Sequence, residues 1–143
     1  MVAVRIFNVA ESYWKAAVAL EKAKVDSTHP DSPIRFLYYH AIELYLKSFL
    51  RLHGHSASEL RGKKFGHMTC CLYERAAELG LISDDEDLRI ISLMATTDAI
   101  IRSRYIEVGF FRWPRIGGLM RTCESLRQSV GQALKESGLV VRL

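Results

Sequence analysis

The sequence predicts an all-α protein, an antiparallel bundle of four to five helices that forms a single domain over residues 1–143. Apolar residues recur at helical spacing in five segments, and capping residues or glycines stand at the ends of most of them. No two segments show the matching alternation of paired β-strands, and the chain has no internal repeat. With 143 residues, of which 49% are hydrophobic and 25% charged, the chain has the length and composition of one globular core.

The first helix is predicted over residues 8–24. Asn8 can cap the free amides at its start, and Glu11 three positions later completes a capping box. We therefore expect Asn8 to lie at the helix N-terminus and one face of the helix to pack on the core. The apolar positions of that face are Ala10, Tyr13, Trp14, Ala17, Val18 and Leu20.

The second helix is predicted over residues 33–53, with Ser32 as its N-cap and Pro33 in the first helical position, which suits proline. Gly54 stands where a left-handed residue ends a helix. The segment is apolar around most of its circumference, so several neighbours must cover it and it belongs in the centre of the bundle. Its charged positions are spaced by four residues and can pair along one stripe: Glu43, Lys47 and Arg51.

Capping patterns and glycines delimit the later elements. Ser56 and Glu59 form a capping box that opens a short helical piece, which cannot extend past Gly66. Ser83 and Glu86 form another box at the start of a long helix, where negative charge also suits the helix dipole. That helix is expected to end near residue 105. The other predicted elements are a helix at 67–79, a loop at 107–114 and a last helix at 115–137.

The apolar runs are only a few residues long, far short of the roughly twenty that span a bilayer. The first eight residues are too few for the apolar region of a secretory signal. We therefore expect a cytoplasmic protein without a membrane span. Reduced, partly buried thiols are expected as well, because the cysteines form neither a disulfide framework nor a C-x-x-C pair: Cys70, Cys71 and Cys123.

Positive charge is unevenly placed along the chain, whose formal charge is +4. Residues 102–142 carry eight basic residues against three glutamates, a local surplus of +5. A second basic segment, R-G-K-K-F-G-H, covers residues 61–67. If the two segments converge, they offer hydrogen-bond donors and positive potential to phosphate groups; the alternative is a solvated basic surface. The candidate phosphate-binding residues are Arg61, Lys63, Lys64, His67, Arg102 and Arg104.

The stretch from Phe36 to Leu81 carries a family resemblance. Its segments H-A-I-E-L-Y-L-K-S-F-L-R-L-H-G, L-R-G-K-K-F-G-H-M and A-A-E-L-G-L, together with the later I-I-R-S-R-Y, resemble the HEPN family of higher-eukaryote and prokaryote nucleotide-binding helical domains. The resemblance implies a helical bundle, commonly a homodimer, in prokaryotic toxin-antitoxin, abortive-infection or other defence systems. It also implies RNA or a nucleotide as ligand, a nucleotidyltransferase-type protein as partner, and no cofactor.

Many members of this family cut RNA without a metal, using an arginine followed a few residues later by a histidine. Arginine can hold the scissile phosphate while histidine moves protons near neutral pH. Here the late arginines, Arg102 and Arg104, have no histidine after them, because His67 is the last histidine in the chain. Arg61 and His67 have the required spacing but precede the family's catalytic element, so they are weak catalytic candidates.

Three functional interpretations follow. The preferred one is a HEPN-like protein of a defence or stress module that binds RNA, a nucleotide or a partner protein. The first alternative is a metal-independent endoribonuclease that uses Arg61 and His67, or the pair Arg102 and Arg104. The second alternative is a non-catalytic bundle whose exposed aromatic residues and arginines serve a protein partner.

Other residues have mainly structural interpretations. His53, His55, His67 and the neighbouring cysteines match no usual zinc arrangement, so no metal is expected. His40 is expected to belong to a buried polar network with the stripe of the second helix, and His67 to close the start of the third long helix. Several aromatic residues could stack on bases, but helical spacing favours the core for them: Trp14, Tyr38, Tyr39, Phe110, Phe111 and Trp113.

Overall fold

The computed structural model of the chain describes residues 2–62, 65, 69–102 and 112–141, and for residues 99–102 it describes the backbone alone. All regular structure within these residues is helical, which confirms the all-α prediction. Each described helix is too short or too polar to span a lipid bilayer. The six helices of the described ranges are α1 (Val2–Ala23), α2 (Asp31–Leu52), α3 (Ala57–Arg61), α4 (Thr69–Glu78), α5 (Asp85–Arg102) and α6 (Ile116–Glu136).

α2 lies in the centre and packs against α1, α4, α5 and α6, as its apolar circumference predicts. Burial of one large side chain of this kind contributes roughly 1.5–3 kcal/mol to the free energy of unfolding, so α2 supplies much of the core. Gly54 has φ +95° just after the helix, and it occupies the left-handed conformation expected there. The largest side chains that α2 buries completely are Tyr38, Tyr39, Ile42, Tyr45, Leu46 and Leu50.

The start of α2 differs slightly from the prediction. The helix begins at Asp31, its N-cap is Pro30 and not Ser32, and the cap makes no side-chain hydrogen bond. Asp31 places a carboxylate in the first turn, where the helix dipole favours negative charge. Pro33 therefore occupies the third helical position, whose amide also lacks an intrahelical partner.

The predicted start of α1 at Asn8 is wrong, because the helix begins at Val2. Ala3 and Phe7 continue the buried stripe toward the N-terminus and hold the extra turns on the core. Glu11 makes no capping box: it is only 7% exposed, and its carboxylate accepts hydrogen bonds from residues of α2 and α6. Tertiary burial, which a local capping pattern does not reveal, decides where this helix begins.

The capping box of α5 is displaced by one residue from the prediction. Asp84, and not Ser83, accepts a hydrogen bond from the amide of Asp87 at 2.9 Å, and Asp87 in turn accepts from the Asp84 amide at 3.4 Å. Asp87 is 1% exposed and also accepts from the hydroxyls of Thr122 (3.0 Å) and Ser125 (2.8 Å). Asp87 therefore completes the capping box in place of the predicted Glu86, because Asp87 faces α6 and gains hydrogen bonds from these two hydroxyl groups.

The remaining boundaries agree with the sequence wherever the chain is described. Ser56 and Glu59 form the predicted capping box of α3, with both reciprocal hydrogen bonds present. α6 lies within one residue of its predicted bounds at each end. α4 is described from Thr69 onward, so the predicted start at His67 lies outside the described residues, as do the expected end near residue 105 and most of the predicted loop at 107–114.

The directions of the helices place the later elements relative to α2. Arg35, near the start of α2, donates to the carbonyl of Pro114 just before α6, and Tyr38 contacts Cys123 further along α6. α2 and α6 therefore begin at the same end of the molecule, whereas α3 follows the opposite end of α2. A helix of 22 residues is about 33 Å long, so the start of α6 and the end of α3 are far apart.

Candidate functional site

The first turn of α6 makes an unusually close contact with α5. A Cβ atom at Gly118 would lie 2.6 Å from Cδ1 of the buried Ile90, so any other residue at 118 would require the Ile90 side chain to move. Beside the contact lies a cleft of about 750 Å³, formed by α5, the segment before α6 and the first turns of α6. We call it the arginine cleft, because four arginines line it: Arg89, Arg112, Arg115 and Arg121.

One acidic residue, Glu86, lines the arginine cleft and neutralises part of its charge. Its carboxylate lies 2.7 Å from the guanidinium of Arg121 and 3.6 Å from that of Arg89. No acidic group of the described residues lies within 4.0 Å of Arg112 or Arg115, and both of these side chains are exposed. Two guanidinium groups are thus occupied by Glu86, and two can take an incoming anion.

The backbone adds to the positive potential of the cleft. The first amides of a helix have no intrahelical partner, and the helix dipole places partial positive charge there. In α6 the N-cap residue Arg115 makes no side-chain capping bond with the described residues, and the first turn carries no acidic residue. Gly117 and Gly118, in the first turn, line the same cleft as the arginines, so their amides add donors to it.

An aromatic side chain completes the wall of the cleft. Trp113 is half-buried and lines the cavity. The guanidinium of Arg35 lies 5.4 Å from the centre of its ring, and Nε of Arg35 donates to the carbonyl of the buried Pro114 at 3.4 Å. These contacts fix the segment before α6 to the start of α2, so the tryptophan is held at the cleft by packing on the scaffold.

The structure describes only part of the site that the sequence predicts. Arg61 is exposed at the end of α3, at the other end of α2 from the arginine cleft. Arg102 is the last residue of α5, and its side chain is among those not described. The remaining predicted residues lie outside the described ranges, so their convergence stays a prediction: Lys63, Lys64, His67 and Arg104.

Comparison of the chain with protein-family models, with curated proteins and with solved structures gave no match. The resemblance to the HEPN family therefore stays a prediction, carried by the residues that suggested it.

The arginine cleft was only partly visible in the sequence. Arg112, Arg115 and Arg121 belong to the basic segment 102–142, whose surplus charge is apparent, but nothing local selects them from its other arginines. Arg89 comes from a different helix, and packing of α5 on Gly118 brings it to the others. The one local signal is a Gly-Gly pair at a helix start with arginines on either side.

The histidines near α3 have structural partners. His55 lies 2.9 Å from the Glu59 carboxylate through Nδ1, and its Nε2 accepts a hydrogen bond from Nε of Arg75 at 3.1 Å. Nδ1 of His53 lies 3.0 Å from the carbonyl oxygen of Phe49. Across the described ranges, no three His, Cys, Asp or Glu side chains are grouped to hold a metal ion.

The predicted polar network of α2 is present in part, with Glu43, Lys47 and His40 as its members. The buried carboxylate of Glu43 lies 2.9 Å from Nζ of Lys47 and 3.8 Å from Nδ1 of His40. The His40 ring packs edge-on against Tyr13 and stacks on Phe36. These contacts support the interpretation of His40 as part of a structural network, because a buried charge is tolerated only with partners.

The buried aromatic and thiol groups belong to the core. Tyr38 and Tyr39 are at most 1% exposed, which excludes them as stacking platforms, and burial raises the pKa of Tyr39 to about 12. Trp14 is covered by the guanidinium of Arg127, 4.7 Å from its ring centre. Cys123 is completely buried, and burial raises its thiol pKa well above the ordinary value, so it is no nucleophile at neutral pH. Phe110 and Phe111 lie outside the described residues.

Proposed function

We propose that this protein is a cytoplasmic, HEPN-like member of a prokaryotic defence or stress module and that it binds single-stranded RNA or nucleotides. The binding site is the arginine cleft. The observation that carries the proposal is the meeting of four arginines and an uncapped helix start in one cavity of about 750 Å³. Ligand sites of proteins usually have volumes in this range.

Phosphate is the chemical group that this arrangement suits best. A guanidinium group presents paired N–H donors that match two phosphate oxygens, and the amides at a helix start add further donors. Arg112 and Arg115 have no acidic partner among the described residues, whereas Arg89 and Arg121 can follow if phosphate displaces Glu86. A phosphodiester chain has several such groups in a row, and a cleft with several arginines can hold more than one of them.

Trp113 favours a nucleic acid over a simple anion. Proteins that bind single strands combine a basic groove with aromatic side chains on which bases stack, and each stacked base contributes roughly 1–3 kcal/mol. Trp113 stands beside the arginines of the cleft, held by Arg35 and by the segment that ends at Pro114. Trp113 therefore places an aromatic ring, which also contacts the guanidinium of Arg35, beside the arginines that would bind phosphate.

The test is the binding of a fluorescein-labelled oligouridylate, followed by fluorescence anisotropy over a series of salt concentrations. Loss of two charge-assisted contacts in R112A/R115A weakens binding at least about tenfold and lowers the salt slope by about 1.4, which is about 0.7 for each contact to a single strand. The control R5A/K15A removes two exposed charges of α1 and keeps both quantities close to the wild type. Absent or salt-independent RNA binding contradicts the proposal and favours a protein-interaction bundle instead.

The same samples test the HEPN-type endoribonuclease. Labelled RNA is incubated with micromolar protein, with and without EDTA, and cleavage is followed on a denaturing gel. Cleavage that survives EDTA and disappears in R61A or H67A supports metal-independent catalysis by Arg61 and His67, and its disappearance in R102A or R104A assigns catalysis to the later pair. RNA that stays intact in all samples contradicts the endoribonuclease and leaves the proposed binding function unaffected.

We propose that the protein forms a homodimer through a second surface, on α1 and the start of α2. Apolar residues continue along an outer stripe of α1, where Val2 and Val9 are 42% and 47% exposed, and Phe36 of α2 is 38% exposed. Exposed apolar stripes of this kind are typical of protein contacts. Light scattering after size exclusion should give twice the chain mass, and V9E should give the monomer; a monomeric wild type contradicts the dimer.

A further inference from the structure

A second cleft, of about 410 Å³, lies on the other side of the α6 start, against the end of α1 and the start of α2. Its charge differs from that of the arginine cleft. The apolar side chains of Leu20, Ile34 and Ile116 line it together with three charged groups, the carboxylates of Glu21 and Asp31 and the ammonium group of Lys24. We call it the carboxylate cleft. A ligand with N–H donors and an apolar face is suited to its carboxylates and apolar walls.

The two clefts share Gly117 as a wall residue. This glycine is exposed, and a Cβ atom there would meet no described atom within 4 Å. Packing therefore explains the glycine at 118 but not the one at 117, although glycine in a helix costs roughly 0.5–1 kcal/mol relative to alanine. Gly117 therefore places no side chain between the two clefts.

Glu21 is the best-positioned acceptor in the carboxylate cleft. The hydroxyl of the fully buried Tyr38 donates to its Oε1 at 2.8 Å, so the side chain is held from the core. Oε2 and the second lone pair of Oε1 can accept two adjacent donors from a ligand. Asp31 lies at the rim, 56% exposed, with the guanidinium of Arg35 at 3.8 Å. A carboxylate held in this way requires little ordering when it accepts hydrogen bonds.

Among the nucleobases, guanine fits a carboxylate acceptor best. Its Watson–Crick edge presents two adjacent N–H donors, which one carboxylate can accept together. Adenine and cytosine each pair one amino group with an acceptor atom, and the single N–H of uracil lies between two carbonyls. An ionised carboxylate that faces adenine, cytosine or uracil therefore meets at least one acceptor atom of the base. This contact is unfavourable because the carboxylate has no proton to donate.

We propose that the two clefts form one nucleotide site around the first turn of α6, in which the arginine cleft takes the phosphates and the carboxylate cleft takes a guanine base. This inference rests on the proposed binding of RNA or nucleotides and adds a base preference to it. Glu21 is the specificity-determining residue, and Gly117 is the position across which the ligand passes.

The test compares four probes by isothermal titration calorimetry: GTP, ATP, UTP and inorganic triphosphate, which has no base. A bidentate contact to one base edge discriminates by roughly 1–3 kcal/mol, so GTP should bind about tenfold tighter than ATP or UTP. E21Q keeps an oxygen for Tyr38 but loses the second acceptor. The affinities of this variant for the three nucleotides should therefore lie within about twofold of each other. Its affinity for inorganic triphosphate should stay unchanged.

Three further variants complete the design. E124Q removes the same charge from an exposed glutamate of α6 and should keep the preference for GTP. G117V places a branched side chain between the clefts, so it should weaken the binding of GTP but not the binding of inorganic triphosphate. If circular dichroism shows that E21Q is unfolded, D31N replaces it, because the exposed Asp31 side chain tolerates substitution and its carboxylate also lines the cleft.

The outcomes separate this inference from the proposed function. Equal affinity for GTP, ATP, UTP and inorganic triphosphate overturns the guanine site and leaves phosphate binding intact. A preference for GTP that persists in folded E21Q and G117V also overturns it, since the base then binds elsewhere. Failure of every probe and of RNA to bind overturns the proposed function itself.

Discussion

Two arginines of α6 lie in contrasting surroundings. Nε of Arg127 lies 2.7 and 3.0 Å from the two carboxylate oxygens of Glu11, and Tyr45 donates to the same carboxylate at 2.6 Å. Arg121 meets Glu86 at 2.7 Å on the surface, beside two arginines with no acidic partner among the described residues. The first cluster joins three helices and has its charges satisfied within the protein. The second has surplus positive charge, so it is the one available to a ligand.

The largest difference between the two clusters is expected in stability. In R127A the carboxylate of Glu11, whose side chain is 9% exposed, loses its cationic partner, and removal of one member of a buried pair costs about 3 kcal/mol. In R121A the lost pair is 45% and 43% exposed, and the loss is below about 1 kcal/mol. Urea denaturation measures both. Equal losses would show that the two clusters do not differ as described.

The adjacent glycines of α6 provide the next comparison. G118A places a Cβ atom against Ile90, which is buried and must change its rotamer, so the free energy of unfolding should fall by about 1 kcal/mol. G117A meets no described atom and should raise the same quantity by about 0.5 kcal/mol. Thermal and urea unfolding of the two variants test the contrast, and a stabilising G118A contradicts the close contact of α5 with α6.

Release of the arginines held by Glu86 should strengthen ligand binding. In E86Q the guanidinium groups of Arg89 and Arg121 lose their ion pairs, and the affinity for oligouridylate should rise about threefold, in line with the small energy of exposed pairs. The control is E124Q, which removes an equal charge from α6 outside the cleft lining. Anisotropy titrations that give equal gains for E86Q and E124Q would indicate a general charge effect only.

The smallest effect concerns the capping box of α3. Hydrogen bonds from Ser56 and from His55 lower the pKa of the exposed Glu59 below its ordinary value of 4.5. A lowered folded-state pKa means that the contribution to stability is present above pH 4.5 and is lost as the pH falls through the folded-state pKa. E59Q should remove this part of the acid dependence of the unfolding free energy. An unchanged acid profile in E59Q contradicts the assignment.

The sequence predicts those features that depend on neighbours along the chain. The central position of α2, the capping box of α3 and the bounds of α6 all follow from periodicity, caps and glycines within single segments. The start of α1 and the cap of α5 do not, because Glu11 and Asp87 have partners in α6 that lie far away in sequence. A local pattern cannot show that a residue has such a partner.

The candidate site illustrates the same limit. An excess of positive charge after residue 102 is visible in the sequence, and it indicates an anion-binding surface. The members of the arginine cleft are selected by the packing of Ile90 on Gly118, which brings Arg89 of α5 beside the start of α6. Neither the arginine cleft nor the carboxylate cleft corresponds to any run of residues in the chain.

The most direct test of the central claim is an NMR titration of ¹⁵N-labelled protein with a short oligouridylate. We expect the largest amide shifts at Arg112, Trp113 and the first turn of α6, together with a shift of the Trp113 indole N–H. The indole of Trp14, which lies under Arg127 in the satisfied cluster, should stay unchanged and serves as an internal reference. Shifts confined to the region of Arg61, or an unmoved Trp113 indole at saturating RNA, would contradict binding in the arginine cleft.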